Sequence, residues 1–271
     1  KKSKALSRAL FLCWILDGSC RIVINGIRCE SLGMGIKIFI SDEYKFSTDT
    51  ILLSNFCNAK RGSEILDIGT GCGTIPLLLC RDGKGKHITG IDIQKNACEL
   101  LKMSINANGF GDKISVLNED IRNIDISLHR KFYDVIVCNP PYKRDGNGLE
   151  SELESRKIAR NECMCTIDDI IQISSKLLKD SGELFMCCRV ERMNEILFKM
   201  TSHKIEPKLI RLVQQRQNSE PKLFLVKGKR LGKSGLRCMP TLVMSDDYGA
   251  TEELKRIYEP FFMENKLMKG K

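Results

Sequence analysis

Residues 64–79 read EILDIGTGCGTIPLLL, and the fold is decided by how this stretch is read. A stretch that reads as a short buried strand, Glu64 to Ile68, breaks into a loop where glycine alternates at Gly69, Gly71 and Gly73. An apolar run follows over 74–81. It predicts a helix with Thr74 at its N-cap and Pro76 in its first turn. Strand, glycine loop and helix start open a βα unit, and open α/β sheets bind ligands outside the carboxyl ends of their strands. Glycine at 69 and 71 lets a ligand approach the backbone closely. A dinucleotide does not fit: G-x-G-x-x-G counted from Gly69 ends on Thr74, and from Gly71 on Pro76. No Gly-Lys-Ser/Thr follows, so a phosphate-binding P-loop is excluded too. Asp67, just ahead of the loop, would repel a phosphate and suits a positively charged group.

The rhythm continues on the C-terminal side. HITGIDI (87–93), KISVLNED (113–120), YDVIVCN (133–139) and ELFMCC (183–188) read as strands. KNACELLKMSINANG (95–109), TIDDIIQISSKLLKDSG (166–182) and a segment near 191–202 read as helices, the first two closed by glycine. KLIRLVQQRQ (208–217) and KLFLVKGKR (222–230) read as a hairpin across the polar turn NSEP. The expected fold is α/β: a mostly parallel seven-stranded sheet with helices on both faces and a C-terminal antiparallel hairpin. Residues 27–262 are expected to form a single domain, with 1–26 an extension and 263–271 a basic tail. RALFLCWIL (8–16) is too short for a membrane span and lacks a cleavage site, so it reads as a short buried helix or strand.

Two more acids sit at strand ends. Asp92 lies about 20 residues beyond the loop, where an acid can accept from both hydroxyls of a ribose. Asp120 ends the next strand and could meet an adenine amino group. Each alone reads equally well as a cap or a turn residue. Three acids at successive strand ends beside a glycine loop describe a ligand with an amine, a ribose and an adenine but no phosphate. That ligand is S-adenosylmethionine.

The fourth strand stops in Asn139–Pro140–Pro141–Tyr142. Proline fixes φ and pushes the preceding residue toward an extended backbone, so this tetrapeptide is a stiff ledge. The Asn139 side-chain oxygen and the Pro140 carbonyl are two acceptors held in place, which suits a planar NH₂ group. Pro141 and Tyr142 complete the ledge, and Tyr142 offers a ring on which a flipped base can stack. The plainer reading is a turn with Tyr142 as a core plug.

ILDIGTGCG, GIDIQ and NPPY together resemble a Rossmann-like class I amino-methyltransferase. The blocks GMGIKIFISDEYKFSTDTILLSNF (33–56), IARNECMCTIDDII (158–171), IEPKLIRLVQQRQ (205–217) and YGATEELKRIYEPF (248–261) resemble the bacterial family that methylates N6 of an adenine in valine tRNA, immediately 3′ of the anticodon. The resemblance implies that Asp67, Gly69 and Gly71 hold the methionine part of the cofactor, with Asp92 at the ribose, Asp120 at the adenine and Asn139 also among the cofactor-binding residues. It implies that Asn139, Pro140 and Tyr142 receive the target base, and it places Phe46 and Asp49 in a segment entering the cofactor pocket. Relatives often carry His and Pro where this chain has Cys188 and Val190.

Composition agrees. A net charge of +10 suits a nucleic-acid partner. The densest basic stretch, Lys227 to Arg237, is glycine-rich, and Lys229, Arg230 and Lys233 are expected to meet tRNA phosphates. Thirteen cysteines without a C-x-x-C pair, several inside apolar runs, read as reduced thiols of a cytoplasmic protein. His87, His129 and His203 are scattered, so no metal is expected. The chain is expected to act as a monomer, away from membranes. Two other readings are a glutamine methylase of a release factor and a silent RNA-binding protein of the same fold. The first expects a helical domain ahead of the glycine loop, where only about 60 residues stand. The second leaves the intact NPPY unexplained.

Overall fold

A computed structural model describes residues 23–24, 26–126, 132–140 and 165–263. Strands β1 (Val23–Ile24), β2 (Ile27–Ser31) and β3 (Lys37–Ile40) form a small antiparallel sheet ahead of helix α1 (Thr48–Phe56). The alternating core follows as β4 (Glu64–Ile68), α2 (Thr74–Arg81), β5 (His87–Asp92), α3 (Lys95–Asn108), β6 (Ile114–Asn118) and β7 (Tyr133–Cys138). It continues through α4 (Ile167–Leu177), β8 (Leu178–Arg189), α5 (Met193–Ser202), β9 (Ile205–Arg216) and β10 (Leu223–Arg230). Three short strands close the chain's sheet, β11 (Arg237–Cys238), β12 (Leu242–Asp246) and β13 (Gly249–Ala250), before helix α6 (Glu252–Phe262).

The main sheet runs β13-β12-β9-β10-β8-β7-β4-β5-β6, with β11 beside β9. Strands β6, β5, β4, β7 and β8 are mutually parallel, and β10 enters antiparallel between β8 and β9. The seven expected strands are therefore present. The sheet reaches ten because β11 and β12 extend the free edge of β9 in parallel and β13 folds back on β12. Two cores lie on opposite faces, as strand alternation requires. Ile65, Val135, Val137 and Phe185 pack against α1, α2, α3 and α6. Leu66, Ile68, Ile136 and Met186 pack against α4 and α5.

Helix α4 is shorter than its amphipathic pattern predicts. Leu178 already pairs with Tyr133 in the sheet, and the Leu177 carbonyl accepts from Phe132 N–H at 3.0 Å. Sheet pairing thus takes over at Leu178, four residues before the glycine that was expected to stop the helix, and Ser181 takes a left-handed φ of 66° in the bulge that results. Helix α4 is capped at its start by Thr166 and Asp169 in a reciprocal box. The third strand also ends earlier, at Asn118 rather than at Asp120.

At α2 the cap is Gly73, not Thr74, which is the first helical residue. Gly73 has a φ of 86°, and a Cβ there would sit 2.2 Å from Leu101 Cδ1 of α3. Left-handed backbone and close packing both demand glycine. Gly73→Ala should therefore lower stability by about 1–3 kcal/mol. In chemical denaturation the midpoint should fall with an unchanged m-value. An unmoved midpoint would mean that Leu101 yields at no cost.

Candidate active site

Strand register brings the predicted residues to one place. Ile68 of β4 pairs with Cys138 of β7 on one side and Ile91 of β5 on the other, and Asp92 pairs with Asn118 of β6. Gly69, Asn139 and Asp92 therefore leave the sheet at the same edge. Asn139 is half-buried and Pro140 buried. Pro141, Tyr142 and the block at 158–164 lie outside the described residues.

The glycine loop folds back onto β5. The Gly69 and Thr70 N–H groups donate to the Ile91 carbonyl at 2.9 and 3.1 Å. Gly71 N–H donates to one carboxylate oxygen of Asp92 and Gln94 N–H to the other, both at 2.9 Å. Gly69 and Gly71 have φ of 71° and 55°, and a Cβ at either would meet no atom within 4 Å. The loop thus has one face anchored and one face open.

Beneath this loop lies Asp67, 1% exposed. Neither of its carboxylate oxygens has a hydrogen-bond partner, and neither does the Thr70 hydroxyl. An unpaired buried carboxylate is costly, and such a group takes up a proton. Burial pushes its pKa up to about 7; the Thr70 hydroxyl, close to the carboxyl but outside hydrogen-bond geometry, works against the rise, and Asp92 adds to it. Burial also raises Asp92, against the two backbone N–H groups that hold it. Two carboxyl groups short of positive charge, beside an open glycine face, fit the ammonium and ribose hydroxyls of S-adenosylmethionine.

Other side chains complete the pocket wall. The Asn118 amide donates to the carbonyls of Asp92 and Ile93, both at 3.0 Å, and fixes the end of β5. Tyr44 donates its hydroxyl to Gln94 Oε1 at 2.7 Å. Tyr44 is brought there by β3, whose outer edge is bonded by helix α3. Lys37 N–H donates to Asn108 Oδ1 (2.8 Å), Phe39 N–H to Ser104 Oγ (2.9 Å), and Asn108 Nδ2 to the Lys37 carbonyl (2.6 Å). Phe46 packs partly buried against the core, and Asp49 stands in the first turn of α1. Sequence spacing marked neither Tyr44 nor Thr70. Gln94 stood inside the GIDIQ block and could have been read as the residue that caps the ribose acid.

Two groups of predicted residues are placed differently. Asp120 lies two residues beyond β6 and caps a single turn, Ile121–Asn123. Its carboxylate accepts from Arg122 backbone N–H (2.9 Å) and from the guanidinium (Nη2, 2.6 Å), and Arg122 holds its pKa below the ordinary value. An adenine amino group would share that carboxylate with Arg122. Lys229 pairs with Glu183 at the start of the ELFMCC run, so Lys229, Arg230 and the loop holding Lys233 lie toward the end of the sheet opposite Asn139. Arg230 donates Nε to the Ser175 carbonyl at 2.6 Å and forms an ion pair with Asp180. The Lys233 carbonyl accepts from Lys208 Nζ at 3.0 Å. Of the two departures from related sequences, Cys188 is buried in β8 and Val190 half-buried in the turn after it. Among the described residues, no group of three or more His, Cys, Asp or Glu could hold a metal, and no helix is long and apolar enough to cross a membrane.

The family model described as methyltransferase small domain matches residues 37–203. A protein of Tolumonas auensis named tRNA1(Val) (adenine(37)-N6)-methyltransferase is 29% identical over 154 residues, 56% of this chain and 62% of its own length. A protein of the same name from Porphyromonas gingivalis is 26% identical over 228 residues, 80% of this chain and 88% of its own length. The match to the first of these thus spans about three fifths of that relative. Among solved structures, a predicted O-methyltransferase, Atu636 of Agrobacterium tumefaciens, superposes with a TM-score of 0.63 at 19% identity, covering 81% of this chain and all of the other. That likeness shows the fold.

The raised pKa of Asp67 makes a test. Its folded value, about 7, lies above the ordinary 3.8, so the folded chain holds the extra proton between them. Stability of the ligand-free protein should fall as pH rises through that window. Asp67→Asn should flatten the slope, leaving only the part that Asp92 contributes, and raise stability at pH 8 by about 1–3 kcal/mol. Denaturation of both proteins at pH 5 and pH 8 reads this directly. Parallel pH profiles would show that Asp67 is not the group responsible.

Proposed function

Because the chain belongs to the methyltransferase small-domain family, we propose that it transfers a methyl group from S-adenosylmethionine to the exocyclic N6 amine of an adenine in tRNA. The finer target is the adenine beside the anticodon of valine tRNA. The names of the Tolumonas and Porphyromonas relatives support it, the second over most of both chains. The observation that carries the reading is the buried, unpartnered Asp67 carboxylate under an open glycine loop, one strand from Asn139. The rim of the same sheet end supports an RNA partner, with exposed Arg216 and Lys222 and the 98% exposed ring of Tyr248. A cytoplasmic location follows from such a substrate.

The residues act by holding and orienting. S-adenosylmethionine, when bound, supplies an electrophilic methyl on a sulfonium. Ionised Asp67 holds the ammonium of the methionine part, and that positive charge relieves the desolvation that raises its pKa. Asp92, already fixed by the N–H groups of Gly71 and Gln94, keeps lone pairs for the ribose. Asn139 Oδ1 and the Pro140 carbonyl accept the two hydrogens of the target amine. This turns the nitrogen lone pair toward the methyl and stabilises the positive charge that grows on nitrogen. Pro141 and Tyr142 support the base, the second by stacking. No side-chain nucleophile is required. The rate comes from positioning two reactants in line and from preorganised acceptors at a developing charge.

Incubation with labelled donor and total bacterial tRNA should give N6-methyladenosine in tRNA, read by nucleoside mass spectrometry. Label confined to protein would move the assignment to glutamine methylation. Donor affinity should weaken by about tenfold per pH unit below about pH 7, as Asp67 takes up its proton. Asn139→Ala should keep folding and donor binding yet lower the single-turnover rate at least about 100-fold. A stable Asn139→Ala protein with near-native turnover would overturn the role given to this residue.

A further inference from the structure

A second cavity lies at the other end of the sheet. Helices α4 and α5 both end there, beside the starts of β8 and β9, and β10 arrives antiparallel. Between them is an open cavity of about 530 Å³ whose lining includes Ser175, Lys176, Ser202, His203, Lys204 and Arg230, with no acidic side chain in its wall among the described residues. Two of the basic groups are engaged: Arg230 with Asp180, and His203 Nε2 at 3.3 Å from Asp168 Oδ1. Among the described residues, neither Lys176 nor Lys204 has a carboxylate partner.

Lysines near helix C-termini often only offset the helix dipole. Lys204 goes beyond that. It follows the α5 cap residue His203 in the left-handed region, at φ 62°, where glycine is the usual residue. Its cap duty is done by the main chain: its N–H donates to the Thr201 carbonyl at 3.0 Å, and its own carbonyl accepts from Leu231 N–H at 2.8 Å. Glycine would do all of this without strain. The lysine side chain is the only part of the residue that the cap does not need, and it lines the cavity beside Lys176. Strained backbone under a basic, hydroxyl-lined cavity is the pattern of a ligand site.

We propose that this cavity binds a phosphate group, held by Lys176 and Lys204 with the hydroxyl of Ser175 as a further donor; the Ser202 hydroxyl already donates to the Phe198 carbonyl at 2.9 Å. The phosphate comes either from a free nucleotide or from an RNA backbone. The cavity lies away from the methyl-transfer site, so binding there does not depend on the reaction proposed above.

Calorimetry on the full chain at low salt, without methyl donor, separates the sources. The probes are inorganic pyrophosphate, UDP and a uridine decamer, none of which carries adenine. Binding of pyrophosphate and UDP, weakened at least about tenfold by Lys176→Gln and by Lys204→Gly, identifies a free phosphate ligand. Binding of the decamer alone, with the slope of log K against log salt reduced by about 0.7 in each variant, identifies an RNA backbone. Lys204→Gly relieves the positive φ, so its melting temperature should hold or rise and unfolding cannot account for lost affinity. The proposal is overturned if none of the probes binds, or if both variants bind them as the wild type does. Failure of methyl transfer would leave either result standing.

Discussion

Everything in the site hangs on the parallel register around β4. Its backbone is bonded on both sides, Ile68 level with Cys138 and with Ile91, and both faces are buried. Central parallel strands are fixed by burial on both sides, because a slip of one residue would exchange the two faces. Here such a slip would drive Asp67 toward the α4–α5 core and Leu66 into the glycine-loop side. Correct register puts the ends of β4, β5 and β7 at one edge. The loop at Gly69, the acid Asp92 and the ledge at Asn139 then surround a common space.

That space is electrostatically unfinished in the protein alone. Asp67 and Asp92 are both buried and both raised in pKa by burial, and Asp92 adds to the rise at Asp67. Asp92 is partly compensated by two backbone N–H groups, whereas Asp67 has none. A cationic, hydroxyl-bearing ligand removes the penalty, so part of the binding energy is prepared in the fold.

The two ends of the sheet divide the chemistry. Acids and backbone N–H groups gather at the carboxyl edge, and lysines gather at the opposite edge where α4 and α5 finish. Antiparallel β10 explains the second gathering. It carries Lys229 and Arg230 away from Asn139, and Asp180 and the Ser175 carbonyl then take the Arg230 charge. A basic run that looks continuous in sequence is thus split between ladder, ion pair and open loop.

The sequence alone determined the βα order, the strand at 64–68, the ends of α3 and the hairpin after residue 205, since hydrophobic period and glycine stops are local signals. It also placed Asp67, Gly69, Gly71, Asp92 and Asn139 at strand ends, because strand ends are marked where an apolar run stops. Only the tertiary structure decided where α4 yields to β8, since the pairing of Leu178 with Tyr133 depends on a strand 45 residues away. It alone put Arg122 on Asp120, Tyr44 on Gln94 and Asp180 on Arg230. It alone left Asp67 unpartnered. These outcomes depend on which atoms from distant segments compete for the same lone pair, and spacing along a chain carries no record of that competition.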